Sequence, residues 1–219
     1  MQSSKEENSK QNTTSKKLRY GFSRLSPIFP VYLYSSLLDY PETILDEFHK
    51  NYKQQDMHDN GAHLLSTKDY TDCIITKLDL QNLKKLILDK TKVFCKELRY
   101  QPKSVLLNSW ISVQRPGEHV TVHNHINSDL SGVFYIKANM DSGILFLRNP
   151  LQQFCYTKLF KRAATPVQVE PVNGKIVLWP SFIDHGVEKN NTKEDRIAIA
   201  FNLKFSDEEV GEKNQNEKS

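Results

Sequence analysis

The stretch VTVHNHINSDLSGVFYI, residues 120–136, organises the chain: two β-like runs flank a short polar turn. The first run ends in His123 and His125, which are two residues apart. Side chains at positions i and i+2 of a strand point to the same face of the sheet. We therefore predict that the two imidazoles can reach one point in space.

A third histidine, His185, follows sixty residues later in the stretch WPSFIDHGV, residues 179–187. Divalent metals take two or three imidazoles at about 2 Å, and carboxylate, water or substrate fills the other positions. Two local imidazoles and a distant one have the layout of a metal site at the mouth of a β-barrel. The alternative is that each histidine is an ordinary polar residue on a sheet edge.

Short β-like segments separated by turn residues dominate the chain after Pro102. The predicted strands are 105–114, 121–125, 130–138, 143–147, 155–159, 167–170, 175–179, 186–189 and 197–205. Eight or nine strands at such close spacing are typical of a sandwich or barrel.

The chain before Pro102 is predicted to contain a strand region over residues 19–34 and two helices. The first helix begins near Pro41, with Asp39 as a possible N-cap, and the second covers residues 78–100, with Asp79 at its start. Helices followed by strands give an α+β order in which the helices buttress a mainly β domain.

Both ends of the chain are polar. Residues 1–17 contain no large apolar residue after Met1, and residues 206–219 are acidic. Such segments bury too little surface to offset their ordering entropy, so we expect both to be disordered. Residues 18–205 are then one domain, with the strand and buttressing helices in 18–104 and the barrel in 105–205.

Composition limits the classes of partner. The 219 residues carry a net charge of +4 without a dense basic patch, so no dedicated nucleic-acid binding is expected. The three cysteines are far apart, which argues for a reducing compartment. No apolar run approaches the roughly 20 residues of a membrane span, and the N-terminus has no signal-peptide core. We expect a cytoplasmic protein with no membrane partner; a homodimer stays open.

Arg196 stands alone among apolar residues at the start of the last predicted strand, RIAIAFN, residues 196–202. Its side chain faces either the barrel interior or solvent. A guanidinium in the interior needs an anion, and a carboxylate that accepts two hydrogen bonds suits it best.

These stretches resemble the iron- and 2-oxoglutarate-dependent oxygenases, which fold as a double-stranded β-helix, a jelly-roll or cupin-like architecture. Residues 123–135 and 179–202 are similar to motifs of a largely uncharacterised group of 2-oxoglutarate–Fe(II) oxygenases. Asn108-Ser109-Trp110 and Asn149-Pro150 fit the same group. The resemblance covers residues 105–205.

The resemblance implies an oxidoreductase that uses Fe(II), dioxygen and the cosubstrate 2-oxoglutarate. It would hydroxylate an unidentified substrate while 2-oxoglutarate is decarboxylated to succinate. By position, His123 and His185 would be iron ligands and Arg196 would bind the distal carboxylate of 2-oxoglutarate. His125 stands where the wider superfamily has a carboxylate. It is the third ligand we favour, with Asp129 as the nearest alternative carboxylate.

Three further polar residues are candidates for contacts with the cosubstrate: Tyr135, Asn108 and Ser131. Two other functions stay open beside the oxygenase. One is a cupin-like three-histidine metal dioxygenase that does not use 2-oxoglutarate, and the other is a non-catalytic jelly-roll binding module.

Overall fold

The structure is a computed structural model that describes residues 31–52, 57–59, 65–67, 73–151 and 165–206. Several predictions concern residues outside these ranges. They are the two disordered tails (apart from Ser206), most of the strand region 19–34, and the strand 155–159.

Three helices precede most of the strands: α1 (Glu42–Asn51), α2 (Ile74–Lys77) and α3 (Gln81–Glu97). The two longer helices confirm the predictions made from the helical spacing of apolar residues. Helix α2 was not predicted, because four residues are too few to show that spacing.

Neither predicted helix cap is correct. The N-cap of α1 is Pro41, which makes no side-chain cap, so Asp39 lies two residues too early. The N-cap of α3 is Leu80. Asp79 precedes it with a φ of 51°, and its carboxylate accepts a hydrogen bond from Gln81 Nε2 at 2.6 Å. Both helices depend on packing rather than on a side-chain cap.

Eleven strands are described. They are β1 (Tyr34–Leu37), β2 (His58–Asp59), β3 (Leu65–Ser66), β4 (Lys103–Gln114), β5 (Val120–His123), β6 (Leu130–Lys137), β7 (Leu145–Leu147), β8 (Val167–Val169), β9 (Lys175–Pro180), β10 (His185–Val187) and β11 (Arg196–Ser206).

The strands form two antiparallel sheets. The larger has the order β1-β9-β6-β11-β4-β3-β2, and the smaller has the order β5-β10-β7-β8. Strand β1 therefore belongs to the larger sheet, although in sequence it precedes residues 105–205, where the barrel was predicted. Two stacked antiparallel sheets, with helices preceding most of the strands, confirm the predicted α+β, jelly-roll class.

The central strand β6 is buried on both faces because its side chains alternate between two cores. Phe134 and Ile136 pack with residues of the helices, whereas Val133 and Tyr135 pack between the two sheets. Gly132 lies at the crowded centre of β6, where a Cβ atom would contact the ring of Phe201 and come within 2.7 Å of a backbone carbonyl oxygen of β9. The inter-sheet core is the one that encloses the histidines.

Candidate metal and cosubstrate site

Strand pairing brings the distant histidine to the local pair. His185 of β10 lies directly opposite His123 of β5 in the antiparallel register, and their ring centroids are 4.4 Å apart. The ring of His125 lies 5.0 Å from that of His123 and 5.2 Å from that of His185. One ligand atom of each residue lies within 4.8 Å of the other two. Within the described ranges, these three residues are the only such group of histidine, cysteine and acidic side chains.

The predicted route by which His125 reaches the site is wrong in one respect. Strand β5 ends at His123, so His125 does not occupy the i+2 position of a strand. Its backbone N–H instead donates a hydrogen bond to the carbonyl oxygen of Ser181, 2.9 Å away, in the turn that follows β9. A long-range main-chain contact, and not strand alternation, therefore sets the position of the third imidazole.

Two of the imidazoles have a tautomer fixed by the backbone. Nδ1 of His123 lies 2.8 Å from the carbonyl oxygen of Thr121, and Nδ1 of His185 lies 2.8 Å from that of Ile183. A carbonyl oxygen can only accept, so each Nδ1 carries the hydrogen and each Nε2 keeps its lone pair. This is the arrangement that metal-binding histidines use.

Burial keeps His185 neutral. The residue is only 5% exposed, and this burial, followed by the neighbouring charge of His123, lowers the pKa of His185 to about 4. A metal can bind an imidazole only in its unprotonated form. His185 is therefore ready to bind a metal at neutral pH without releasing a proton.

Of the two predicted orientations of the Arg196 side chain, toward the barrel interior or toward solvent, the structure shows the first. Its side chain opens β11, is 2% exposed and lines the same cavity as the histidines. The guanidinium carbon lies 5.0 Å from the ring centroid of Tyr135. The Nε of Arg196 is buried and has no hydrogen-bond partner among the described residues. A buried cation with an unsatisfied donor leaves a binding position for an anion.

Tyr135 lies wholly inside the protein beside this cation. Its hydroxyl also lacks a hydrogen-bond partner within the part of the chain that the structure describes. Burial raises the pKa of Tyr135, and the charge of Arg196 only partly opposes this shift. Tyr135 is therefore a neutral phenol that can donate a hydrogen bond.

The cavity at the three histidines has a volume of about 350 Å³ and a largely apolar wall. Arg196 is the only Lys, Arg, Asp or Glu side chain among its described lining residues. Its apolar lining includes Trp110, Val133, Leu145, Trp179, Val187 and Phe201. Such a wall excludes water from the metal and strengthens electrostatic interactions inside.

Ser131 and Asn108 belong to one buried chain of hydrogen bonds. The Ser131 hydroxyl donates to Asn202 Oδ1 at 2.7 Å, so it must accept from the Ser181 hydroxyl at 2.8 Å. Asn202 Nδ2 in turn donates to Asn108 Oδ1 at 2.9 Å. Ser131 lines the cavity, whereas Asn108 meets it only through Asn202. Ser181 and Asn202 lie within the stretches 179–187 and 196–202, but no function was predicted for them from the sequence.

Asp129, the alternative carboxylate ligand, faces away from the metal cluster. Its Oδ2 accepts the backbone N–H of Phe205 at 2.6 Å, and its Oδ1 lies 3.1 Å from Lys204 Nζ. It is not part of the group of converging ligand atoms. Asp129 thus fastens the end of β11, and the described residues bring no carboxylate into the cluster.

A protein-family model and several solved structures resemble the part of the chain that contains this site. Residues 108–202, which contain the three histidines and Arg196, match the family model described as "Putative 2OG-Fe(II) oxygenase". No curated protein matches the sequence. No helix in the described ranges is long and apolar enough to cross a membrane.

Several solved structures share the fold at low sequence identity. The epimerase SnoN in complex with Fe3+, alpha ketoglutarate and nogalamycin RO has a TM-score of 0.59 and 12% identity, over 80% of this chain and 79% of its own. HygX from Streptomyces hygroscopicus, with nickel, 2-oxoglutarate and hygromycin B bound, has a TM-score of 0.56 and 12% identity, over 80% and 83%. A prolyl-4-hydroxylase from Pseudomonas putida has a TM-score of 0.52 and 14% identity, over 81% and 94%.

The fold shared with these proteins is the double-stranded β-helix. The residues that the family match covers include the three converging imidazoles and the buried guanidinium. Residues 108–202 therefore match this oxygenase family, and the described part of the chain has the fold of the solved structures named above.

Proposed function

We propose that the protein is an iron(II)- and 2-oxoglutarate-dependent oxygenase, an oxidoreductase in which His123, His125 and His185 bind the iron and Arg196 binds the distal carboxylate of 2-oxoglutarate. One observation carries the proposal. Three imidazoles and a buried guanidinium with an unsatisfied Nε line the same cavity. The first group supplies a donor set that iron accepts, and the second supplies the counter-charge for a dicarboxylate.

Arg196 separates this function from the two alternatives. Leaving a donor of a guanidinium unsatisfied in a protein interior is costly, since its desolvation is not repaid. A three-histidine dioxygenase without 2-oxoglutarate would need an anionic substrate to pair with this cation, and a binding module would need an anionic ligand. A carboxylate ligand gives Arg196 a function that satisfies its donors.

The other polar candidates support the same cosubstrate. The phenol of Tyr135, beside Arg196, can donate a second hydrogen bond to the bound carboxylate. Ser131 has used its only hydrogen within the serine–asparagine chain, so it can offer a ligand one acceptor position and no donor. Asn108 orients Asn202 and thereby the wall of the cavity.

Each part of the chain has a defined task in this function. When bound, Fe(II) and 2-oxoglutarate supply the oxidising chemistry with dioxygen, and 2-oxoglutarate is converted to succinate and carbon dioxide. The histidines fix the position of the metal, since the backbone carbonyl groups hold two of their rings. The apolar wall keeps water away from the reaction. The product is a hydroxylated substrate whose identity the described residues leave open.

The test is an anaerobic titration of Fe(II) and 2-oxoglutarate into the purified protein, followed by the weak visible charge-transfer band of the chelated cosubstrate. We expect the band with wild type and with a control variant, Arg148→Ala, whose exposed side chain is absent from the cavity wall. We expect Arg196→Ala to require a much higher concentration of 2-oxoglutarate, and His185→Ala to show no band.

Other outcomes would favour the alternatives. The three-histidine dioxygenase would be indicated if the protein bound one equivalent of iron, showed no charge-transfer band with 2-oxoglutarate, and kept its turnover in the Arg196→Ala variant. Protein that is purified without chelator and binds no iron would indicate the binding module. Formation of succinate from 2-oxoglutarate in air, lost in Arg196→Ala, would support the oxygenase.

We infer further that the protein works in the cytoplasm. Cys73 and Cys95, the two cysteines in the described ranges, are both free thiols, which suits a reducing compartment. Fractionation of cells that express the tagged protein tests this location.

A further inference from the structure

We propose that Asp184, held in place by Asn124, supplies the metal site with the negative charge that its three imidazole ligands lack. Asp184 would act without binding the metal itself, as a positioning residue that stabilises the cation through space. The inference rests on the proposed ligand set, because a carboxylate among the ligands would make this charge unnecessary.

The hydrogen bond between the two residues joins the two segments that carry the ligands. Asn124 lies between His123 and His125 in the chain, and Asp184 directly precedes His185. Asn124 Nδ2 donates to Asp184 Oδ1 at 2.8 Å, across sixty residues of sequence. Each partner of this bond is therefore covalently adjacent to at least one proposed ligand.

Other contacts fix the same geometry. The backbone N–H of Arg148 donates to the carbonyl oxygen of Asp184 at 2.8 Å, which anchors Asp184 to the end of β7. The bond from His125 to Ser181 ties the two ligand-bearing segments together a second time. The backbone of Asp184 is thus fixed at the residue before His185, and its carboxylate is held by Asn124.

The charge of Asp184 remains available to the site. Within the described ranges, no lysine or arginine forms an ion pair with it. The side chain is half-buried, which limits screening by solvent. Its carboxylate is linked to the site by geometry, since the Nδ2 that donates to it belongs to Asn124, which lines the cavity of the three histidines.

The expected effect follows from charge. Three neutral imidazoles leave the full charge of a divalent cation uncompensated, whereas a nearby carboxylate stabilises it. The same carboxylate stabilises Fe(III) more than Fe(II), because the ferric ion carries the larger charge. Removal of the charge should therefore weaken metal binding and raise the Fe(III)/Fe(II) reduction potential.

The test compares variants of the 219-residue protein. Asp184→Asn removes the charge but keeps an oxygen that can accept the bond from Asn124. Asn124→Ala removes the anchor and leaves the charge. Asp89→Asn is the matched control, since Asp89 is an exposed aspartate on α3 that does not line the cavity. The dissociation constants of Co(II) and Fe(II) are measured by quenching of tryptophan fluorescence, and the potential by anaerobic redox titration.

Fluorescence is a suitable signal because both tryptophans of the chain contact ligands. The ring of Trp110 lies 5.5 Å from that of His125, and the ring of Trp179 lies 4.9 Å from that of His185. We expect Asp184→Asn to bind either metal about 10- to 100-fold more weakly, as for other residues that support metal ligands, and to show a higher potential. Asn124→Ala should show a smaller loss, Asp184→Glu should recover part of it, and Asp89→Asn should match wild type.

Two results would overturn the proposal. Asp184→Asn could bind both metals as wild type does, with an unchanged potential. It could also bind more weakly at an unchanged potential, which would give Asp184 a structural role only. His185→Ala separates this failure from failure of the ligand set. If His185→Ala loses the metal while Asp184→Asn does not, only the present inference fails. If His185→Ala binds metal as wild type does, the ligand set itself is wrong.

Discussion

At the scale of single residues, the site combines groups that would each be unfavourable alone. A guanidinium with an unsatisfied Nε, a phenol without a partner and an imidazole with a lowered pKa all lie in the barrel interior. Each is costly in a protein interior, and in the proposed function each gains a partner when a metal and a dicarboxylate bind. If so, these residues serve ligand binding at some cost to the stability of the ligand-free protein.

Arg196→Lys tests the geometry of the anion site. Lysine keeps the positive charge but lacks the planar fork that gives two parallel hydrogen bonds to a carboxylate. We expect the dissociation constant of 2-oxoglutarate to rise about tenfold or more while that of Fe(II) stays near the wild-type value. Isothermal titration under anaerobic conditions measures both constants. Equal affinity for 2-oxoglutarate in the two proteins would mean that Arg196 is not its partner.

His185 predicts how the stability of the metal-free protein depends on pH. Its pKa is about 4 in the folded protein and 6.5 when it is unperturbed. Between these values the unfolded chain binds more protons, so stability is constant above about pH 6.5 and falls as the pH is lowered to 4. The loss can reach about 3 kcal/mol. Chemical denaturation in chelator should show a weaker fall for His185→Gln, and equal pH dependence of the two proteins would contradict the assignment.

At the scale of elements, the pairing of β5 with β10 brings two of the three proposed ligands together. The register places His123 against His185, and the close approach of the strands depends on Gly186. A Cβ atom there would lie 2.9 Å from the carbonyl oxygen of Val120 and 2.8 Å from the ring of Phe146. The three-residue strand β10 thus contains a proposed metal ligand, His185, and a glycine, Gly186, whose close neighbours leave no room for a side chain.

Gly186→Ala should separate these two strands. We expect a loss of about 1–3 kcal/mol in stability from overpacking, together with weaker binding of Co(II). Gly117→Ala is the control, since Gly117 has a φ of 86° and its Cβ atom would meet only the end of Lys189 at 3.7 Å. It should lose stability through backbone strain and keep its affinity for Co(II). Thermal melts measure the stability of both variants, and metal titrations measure their affinity for Co(II). Unchanged Co(II) affinity in Gly186→Ala would show that the pairing of β5 with β10 does not determine the geometry of the metal site.

Local sequence patterns predicted which residues form the site, but not every contact that positions them. Strand alternation led to the pair His123 and His125, the distant stretch 179–187 added His185, and the isolated cation in an apolar strand led to Arg196. The convergence of His125 with His123 was predicted for the wrong reason, because the position of His125 depends on a hydrogen bond to Ser181, 56 residues further along the chain. The predicted caps at Asp39 and Asp79 fail for a related reason, since packing against the sheet sets where each helix begins.

At the scale of the whole molecule, the order of elements made the jelly roll predictable. The N-terminal strands that join its larger sheet could not be predicted from the sequence. Strand β1 extends the larger sheet next to β9, and β3 pairs with β4 from a region in which no strand was predicted. These strands are only four and two residues long, too short for a periodic pattern. Pairing between segments that are distant in sequence is determined by the packed sheet and not by the segments themselves.

The helical layer should act on stability and not on the metal site. Leu83 is wholly buried between α3 and the larger sheet, in the core that excludes the histidines. We expect Leu83→Ala to lose about 2–5 kcal/mol of stability and to keep the wild-type affinity for Fe(II) at a temperature where it is folded. Denaturation and metal titration of the same preparation test this, and a matched loss of affinity would show that the two cores are coupled.

The central claim is that three imidazoles and no carboxylate of the chain bind the iron, with Arg196 on the cosubstrate. Crystals grown anaerobically with Fe(II) and 2-oxoglutarate, measured at the iron absorption edge, test it most directly. We predict one anomalous peak bonded to a nitrogen of each of His123, His125 and His185, and the guanidinium of Arg196 paired with the distal carboxylate. Iron at any other position, or bonded to an aspartate such as Asp129 in place of His125, would contradict the claim.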